Sequence, residues 1–377
     1  MRVVNGRVFS EGRFVEADIV VEDDRIRALE PRVGLSTVGA NDVDATGCIV
    51  VPGLIDVHFH GCVGRDFCEG ADEATHAIAA YEASRGVTSI CPTTMTFPEE
   101  VLGRVMDAAR SFASGDGEAQ LVGINMEGPF ISHGKIGAQN PAYVVKCDSG
   151  FFRRLQERSG GLIKIVDIAP EEAGALAFTR EVADEVRVSV AHTCADYDQA
   201  LEAFQAGANH VTHLCNAMAP LHHRDPGPIA AAADCDHVMV EIITDGVHIH
   251  PAMVRAMFKL FGDRRMMIIS DTMEAAGLDD GEYTLGGQKV HVEGNKARLE
   301  NGTLAGSVTD QMGCFRVAVR DMGIPLESAV RAASENPARA LGIDGERGFI
   351  RPGYVADLVV LDDEVNLERV IVRGRAI

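Results

Sequence analysis

Short apolar runs rich in Val, Ile and Leu recur through the middle of the chain, at residues 49–60, 86–93, 120–127, 162–170, 186–193, 210–215, 238–245 and 266–271. Each is of strand length and bounded by turn residues. Most intervals between them carry the longer apolar spacing of helices: Glu73–Ser84, Glu99–Phe112, Phe151–Arg158, Asp196–Ala206 and Pro251–Phe261. Eight strands alternating with helices predict an α/β fold, a parallel (β/α)8 TIM-like barrel, because parallel neighbours need a crossover and a helix supplies it. Helices over Ser307–Met322 and Leu326–Leu341 would complete the outer ring. Residues 281–304 break the pattern: Gly-Glu-Tyr-Thr-Leu-Gly-Gly, Val290–Val292 and Ala297–Leu299 read as hairpins inserted after strand eight.

The two ends have a different rhythm. Residues 1–48 are brief β runs separated by turn pairs such as Asn5-Gly6, Glu11-Gly12 and Asp23-Asp24, and residues 353–362 and 367–373 repeat that character. Neither end has enough core to stand alone. The expectation is a small β-sandwich domain from residues 1–50 plus 349–377, beside a barrel over residues 51–348.

Composition narrows the functional classes. The chain has 377 residues and 46% hydrophobic content, enough to bury a large core. No apolar run reaches ~18 residues, the minimum for a membrane-spanning helix, and Met-Arg-Val-Val-Asn-Gly at the start lacks the pattern of a signal peptide. Nine cysteines, with no Cys-x-x-Cys and several in apolar runs (Cys91, Cys194, Cys314), read as reduced and mostly buried thiols of a cytoplasmic protein. A formal net charge of −21 argues against nucleic acid or an anionic membrane as partner. Any anionic substrate must then be held by local positive groups.

The ligand-type residues fall in one place. His58 and His60 end strand one, and residues two apart on a strand share a face. Glu127 ends strand three, His192 strand five, His213 strand six and Asp271 strand eight. All lie at the C-terminal ends of barrel strands, where barrel enzymes place their chemistry. So many buried polar groups around one rim need something to bind them together, and a divalent metal does that. Such an ion brings the pKa of a bound water toward ~7. A carboxylate beside that water could take its proton. An ionised Glu127 has acceptor capacity to bridge two ions.

With those residues in hand the sequence resembles the amidohydrolase superfamily, and within it the N-acetylglucosamine-6-phosphate deacetylases. The matching segments are Pro-Gly-Leu-Ile-Asp-Val-His-Phe-His-Gly (52–61), Met-Glu-Gly-Pro-Phe (126–130), Ala-His-Thr (191–193) and Thr-His-Leu-Cys-Asn-Ala-Met (212–218). Arg-Asp-Pro-Gly (224–227), Asp-Gly-Val-His (245–248), Ser-Asp-Thr (270–272) and Leu-Ala-Gly-Ser (304–307) complete the set, nearly end to end and in order. The resemblance implies Glu127, His192 and His213 as metal ligands, and His58 and His60 as holders of a second ion in members that retain them. It implies Asp271 as catalytic acid/base and a further metal contact, with zinc the first metal expected, iron the alternative, and one or two ions per chain. Ala138, Gln139, Asn216, Ala217, Arg224, His248, Leu304, Ala305 and Gly306 match substrate-contacting positions. Many members carry His where this chain has Gln139; glutamine donates a hydrogen bond but cannot become cationic. The implied partners are an amino sugar phosphate and a second copy of the chain in a homodimer.

Other residues have plainer readings. His222 and His223 read as solvated loop histidines, and His76, His210, His237, His250 and His291 as surface or core residues. Lys164 could bridge two metals as a carboxylated lysine, but Glu127 already fills that role. Two alternatives stay open: an amidohydrolase acting on another N-acetyl amino sugar or a cyclic amide, and a barrel scaffold without catalysis.

Overall fold

The computed structural model describes all of residues 1–377. Its centre is a ring of eight parallel strands: Leu54–Asp56, Val87–Ile90, Ile124–Phe130, Ile163–Ile168, Arg187–Val190, His210–Val211, Met239–Ile243 and Met266–Ile269. From the third to the eighth they pair in chain order. The first pairs with the second, and Gln120–Leu121 and Thr93–Thr94 carry the pairing on to the third. Most strand positions are buried, as the helices on the outer face require.

No ladder joins strand eight to strand one. A side chain closes that seam instead: Gln311, fully buried, donates from Nε2 to the carbonyls of Ile55 at 2.8 Å and Ile268 at 2.9 Å. At the rim, the Asp271 N–H donates to His58 O at 2.9 Å and the His60 N–H to Thr272 O at 2.7 Å. The two strands that carry His58, His60 and Asp271 are therefore tied to each other next to the site.

Residues 49–60, which the apolar pattern reads as one strand, are divided. Ile49–Pro52 pairs with Arg7–Ser10 and Leu358–Leu361, whereas Leu54–Asp56 opens the barrel. Gly53 stands at the crossing, where a Cβ would lie 2.1 Å from Thr88 Oγ1, so a side chain there would force the two sheets apart. The strands of both chain ends make one nine-stranded sheet, with Val8, Ile19, Val50, Leu358 and Ile371 in its own core.

Inside the barrel an apolar cluster that includes Ile55, Ile165, Ile243, Met267 and Ile269 packs with Ala338 and Leu341 of the helix Asn336–Leu341. The same strands also bury Asp167, Ser189, His210 and Glu241. Outside, 69 buried residues form the layer between strands and helices. The expected insertion is present as a three-stranded antiparallel sheet, Gly281–Leu285, Gln288–Glu293 and Lys296–Leu299. It packs Leu285, Val290 and Ala297 against Met95 and Met273.

Two helix expectations are adjusted. The helix read from Ser307 starts only at Gln311, because Ser307 is drawn into an extended bridge with Thr272 and Asp310 caps the helix through Gly313 N–H. The helix from Leu326 to Leu341 is continuous, but its middle turn, Arg331–Glu335, is a wider π turn. Helices at Ala175–Val182 and Gly227–Ala233 were not read from the apolar pattern; both are short and Ala-containing, which blurs their periodicity.

Candidate active site

The C-terminal ends of the strands open on a cavity of about 440 Å³. His58, His60, Glu127, His192, His213 and Asp271 are all buried there. His192 (φ 42°), His213 (φ 28°) and Asp271 (φ 53°) have left-handed backbone. Such conformations are costly for non-glycine residues and concentrate at functional sites. Here each turns a strand end sharply at the rim.

The donor atoms converge. Glu127 Oε1 lies 3.0 Å from His192 Nε2 and 2.9 Å from His213 Nε2, and those two nitrogens are 3.2 Å apart. His60 Nε2 lies 3.3 Å from Asp271 Oδ1 and 3.4 Å from Glu127 Oε2. His58 Nε2 lies 3.6 Å from both Asp271 Oδ1 and Glu127 Oε1, within reach of either group. Two ligands of one tetrahedral ion, each at about 2.0–2.2 Å, stand about 3.3–3.6 Å apart; the contacts of His58 and His60 have that spacing, and Glu127, His192 and His213 lie closer, at hydrogen-bond distance.

The far sides of the rings support the same reading. His58 Nδ1 donates to Glu241 Oε2 at 2.9 Å, His60 Nδ1 to Thr93 O at 3.2 Å and His192 Nδ1 to Lys135 O at 2.8 Å. With the proton held on Nδ1, the Nε2 lone pair is free for a cation. His58 Nε2 is buried without any hydrogen-bond partner, an orphaned acceptor of the kind an ion satisfies.

Electrostatics agree. Burial opposes ionisation of Glu127, yet His58, His192 and His213 hold its carboxyl well below the usual range. Asp271 is likewise lowered against burial by His60, His58 and His213. Burial alone would lower His58 and His60, but the surrounding carboxylates raise both. The field that attracts a proton to those nitrogens is the one a divalent cation would meet.

The profile of the amidohydrolase family matches residues 49–377. An N-acetylglucosamine-6-phosphate deacetylase of Lysinibacillus sphaericus is 34% identical over 98% of this chain and 95% of its own. An N-acetylgalactosamine-6-phosphate deacetylase of Escherichia coli O157:H7 is 33% identical over 97% of this chain and 96% of its own. Among solved structures, a mutant N-acetyl-D-glucosamine-6-phosphate deacetylase of Mycobacterium smegmatis, in complex with N-acetyl-D-glucosamine-6-phosphate, superposes with a TM-score of 0.93. It shares 33% identity and is covered over 98% of its length, against 100% of this chain. The chain belongs to the amidohydrolase family, in its N-acetylglucosamine-6-phosphate deacetylase branch.

Around this amidohydrolase centre, Ala138, Gln139, Asn216, Ala217, His248, Leu304 and Gly306 line the cavity, together with His60, Glu127, His192, His213 and Asp271. Two of the expected substrate positions do not. Ala305 is fully buried beneath the loop, its N–H donating to Ala297 O. Arg224 is exposed on the loop after Met218, with Nη1 donating to His223 Nε2 at 2.6 Å, and makes no ion pair with Asp225. His222 and His223 are exposed as expected. All nine cysteines are free; Cys62, Cys91, Cys235 and Cys314 are buried, four are half-buried, and Cys194 is exposed because it follows strand five past the rim, so fewer are buried than expected.

Sequence reasoning missed Glu241, which is fully buried and accepts from His58, from His210 Nε2 at 2.9 Å and from the His213 N–H at 3.1 Å. A lone glutamate inside Met-Val-Glu-Ile-Ile was the available signal, since a buried carboxylate needs partners. Asp245 was also passed over. Its Oδ2 lies 2.7 Å from His248 Nδ1, and its Oδ1 accepts from the Val247 and His248 N–H groups.

Proposed function

We infer that the chain hydrolyses the acetamide of N-acetylglucosamine 6-phosphate, releasing acetate and glucosamine 6-phosphate. The observation that carries the reading is the single carboxylate of Asp271, facing the cavity at the end of strand eight and 3.3 Å from His60 Nε2. Glu127, His192 and His213 would hold one divalent ion, and His58, His60 and Asp271 a second, with Glu127 Oε2 also 3.4 Å from His60 Nε2. The four imidazoles and two carboxylates suit zinc, with iron as the alternative. When bound, the metal supplies Lewis acidity, which brings water toward hydroxide at neutral pH and polarises the acetyl carbonyl.

Everything else falls to the chain's own residues. Asp271, held ionised by its histidine neighbours, accepts the proton released as water adds to the carbonyl. It returns that proton to the sugar nitrogen as the C–N bond breaks, because the amine leaves only when protonated. Asn216, the Ala217 N–H and His248 are donors for the phosphate, and Leu304 and Gly306 shape the sugar side. These residues all lie within residues 51–348, which we take as the catalytic unit, with residues 1–50 and 349–377 as the small β unit. We further propose a homodimer in the cytoplasm, the latter in keeping with nine unpaired cysteines. In such a dimer Arg224, which is exposed and does not line its own cavity, would serve the partner's phosphate pocket.

A second reading, the galactosamine epimer as substrate, is favoured by one relative that bears that name. A deacetylation assay on a panel of N-acetyl amino sugars, with and without a 6-phosphate, tests both. The expected result is turnover confined to the phosphorylated sugars and fastest on the gluco epimer. No acetate released from any of them would overturn the assignment.

A further inference from the structure

We infer that Gln139 is a positioning residue for Glu127 and not a contact for the sugar. The inference rests on the reading of Glu127 as a metal ligand. Gln139 is almost fully buried, at 3% exposure. Its side-chain Oε1 accepts the backbone N–H of Thr96 at 2.7 Å. A backbone N–H can only donate, so the amide cannot be flipped: the oxygen faces Thr96 and the NH2 group faces the other way. There Nε2 stands 2.5 Å from Glu127 Oε2 and 3.5 Å from Met95 Sδ. Both of its hydrogens are therefore engaged within the protein, one by a carboxylate and one by a weak thioether acceptor. No strong donor is left for an acetyl oxygen.

The Glu127 oxygen it holds is the one on the His60 side, 3.4 Å from His60 Nε2, whereas Oε1 serves His192 and His213. Gln139 thereby fixes the rotation of the carboxylate that has to present one oxygen to each ligand group. The segment that carries it is itself anchored. Gln139 N–H donates to Ile136 O at 3.0 Å, and Gln288 of the inserted sheet donates from Nε2 to Ala138 O at 2.6 Å. An ionised carboxylate has lone pairs for a metal and a hydrogen bond on the same oxygen, so the contact is compatible with a loaded centre. Partners of this kind typically control metal affinity by about 10–100-fold.

The test uses the full chain, stripped of metal and titrated with zinc against a competing chelator. Gln139→Met keeps the length and apolar packing against Met95 but has no donor. Gln139→Asn keeps polarity but is one methylene too short to span Thr96 and Glu127. Both are expected to bind zinc about 10–100-fold more weakly. Metal-free, they should stay folded with a lowered melting temperature, since the buried Thr96 N–H loses its acceptor, and they should lose kcat while KM for N-acetylglucosamine 6-phosphate stays in place. Wild-type zinc affinity in both variants would overturn the assignment, and a raised KM beside it would return Gln139 to the substrate. A wild-type chain that binds zinc yet deacetylates no sugar would overturn the proposed function and leave this inference standing. A wild-type chain that binds neither zinc nor iron would overturn both.

Discussion

The Nδ1–H of His58 donates to Glu241, 2.9 Å away and fully buried on strand seven, which is separated from strand one by strand eight. The same carboxylate takes His210 Nε2 and the backbone N–H of His213. One glutamate thus fixes the tautomer of His58 and braces the turn that carries His213, both proposed metal ligands. Removing it should act on the metal before it acts on the fold. Glu241→Gln is expected to weaken binding of the ion held by His58 and His60 by about 10–100-fold, and Glu241→Ala by more. Metal analysis after dialysis should then read one ion per chain where the wild type reads two. Two ions retained at wild-type affinity in both variants would reduce Glu241 to a packing role.

The ligand assignment itself has a sharper check. His58→Asn with His60→Asn removes the nitrogens of one group but leaves Glu127, His192 and His213 with their mutual spacing of 2.9–3.2 Å. Stoichiometry should fall from two to one. Glu127→Ala takes an oxygen from each group and should strip both ions. An unchanged count in the double variant would mean that the strand-one histidines do not bind metal.

Asp271→Asn preserves shape and should keep the ion at Glu127, His192 and His213, yet it cannot shuttle a proton. The expected loss in kcat is about 10²–10⁴-fold, the usual worth of a placed acid/base group. Metal content measured on the same sample separates lost chemistry from a lost ion. A near-normal kcat would take Asp271 out of the mechanism.

Much of this architecture is legible before any coordinates. Strand periodicity places His58, His192, His213 and Asp271 at strand ends because the period of two and the apolar runs are local properties, whereas Glu127, expected to end strand three, lies inside Ile124–Phe130, where the register with strand four breaks after Met126. What the chain does not announce is long-range. Glu241 sits in the middle of its five-residue strand and looks like a solitary charge until His58, from 183 residues away, closes on it. Gln311 reads as one polar residue of an amphipathic helix, and only the missing ladder between strands eight and one gives it a task. The division of residues 49–60 at Gly53 is hidden for a similar reason: both halves are apolar strand, and only the partners differ.

His248 should give the phosphate preference a pH limit. Burial lowers its pKa, but the hydrogen bond and charge of Asp245, with Asp271 across the cavity, outweigh that and raise it above the usual histidine value. A group raised in this way is charged below its folded pKa and loses its proton as pH rises through it. Its attraction for a phosphate dianion is therefore present at low pH and lost on the alkaline side. The substrate phosphate becomes a dianion only above about pH 6. The ratio of kcat/KM for the phosphorylated over the plain sugar should rise through that region and fall on the alkaline side of the ordinary histidine range. His248→Asn should flatten the alkaline fall. An alkaline limb that persists unchanged in that variant would place the titrating group elsewhere.

Arg224 carries the last prediction, because charge and geometry point in different directions. With a net charge of −21 the field of the whole chain repels a sugar phosphate, so a local cation is needed. A guanidinium binds phosphate through two parallel hydrogen bonds, which lysine cannot copy. Yet Arg224 is exposed and absent from the walls of its own cavity, held only by His223. Both facts are met if the arginine of one copy serves the pocket of the other. Arg224→Ala should then raise KM for the 6-phosphate strongly and barely alter the rate on the plain sugar, and Arg224→Lys should recover only part. Co-expression makes the distinction direct. A dimer of one Arg224→Ala chain and one Asp271→Asn chain contains a pocket with an intact Asp271 on the first and an intact Arg224 from the second. Mixed dimers that turn over the phosphorylated sugar at low concentration, where neither parent does, would place Arg224 across the interface. Mixed dimers no better than the parents, or a fully active monomer by light scattering, would confine it to its own chain, and an equal loss on both sugars would mark it as structural.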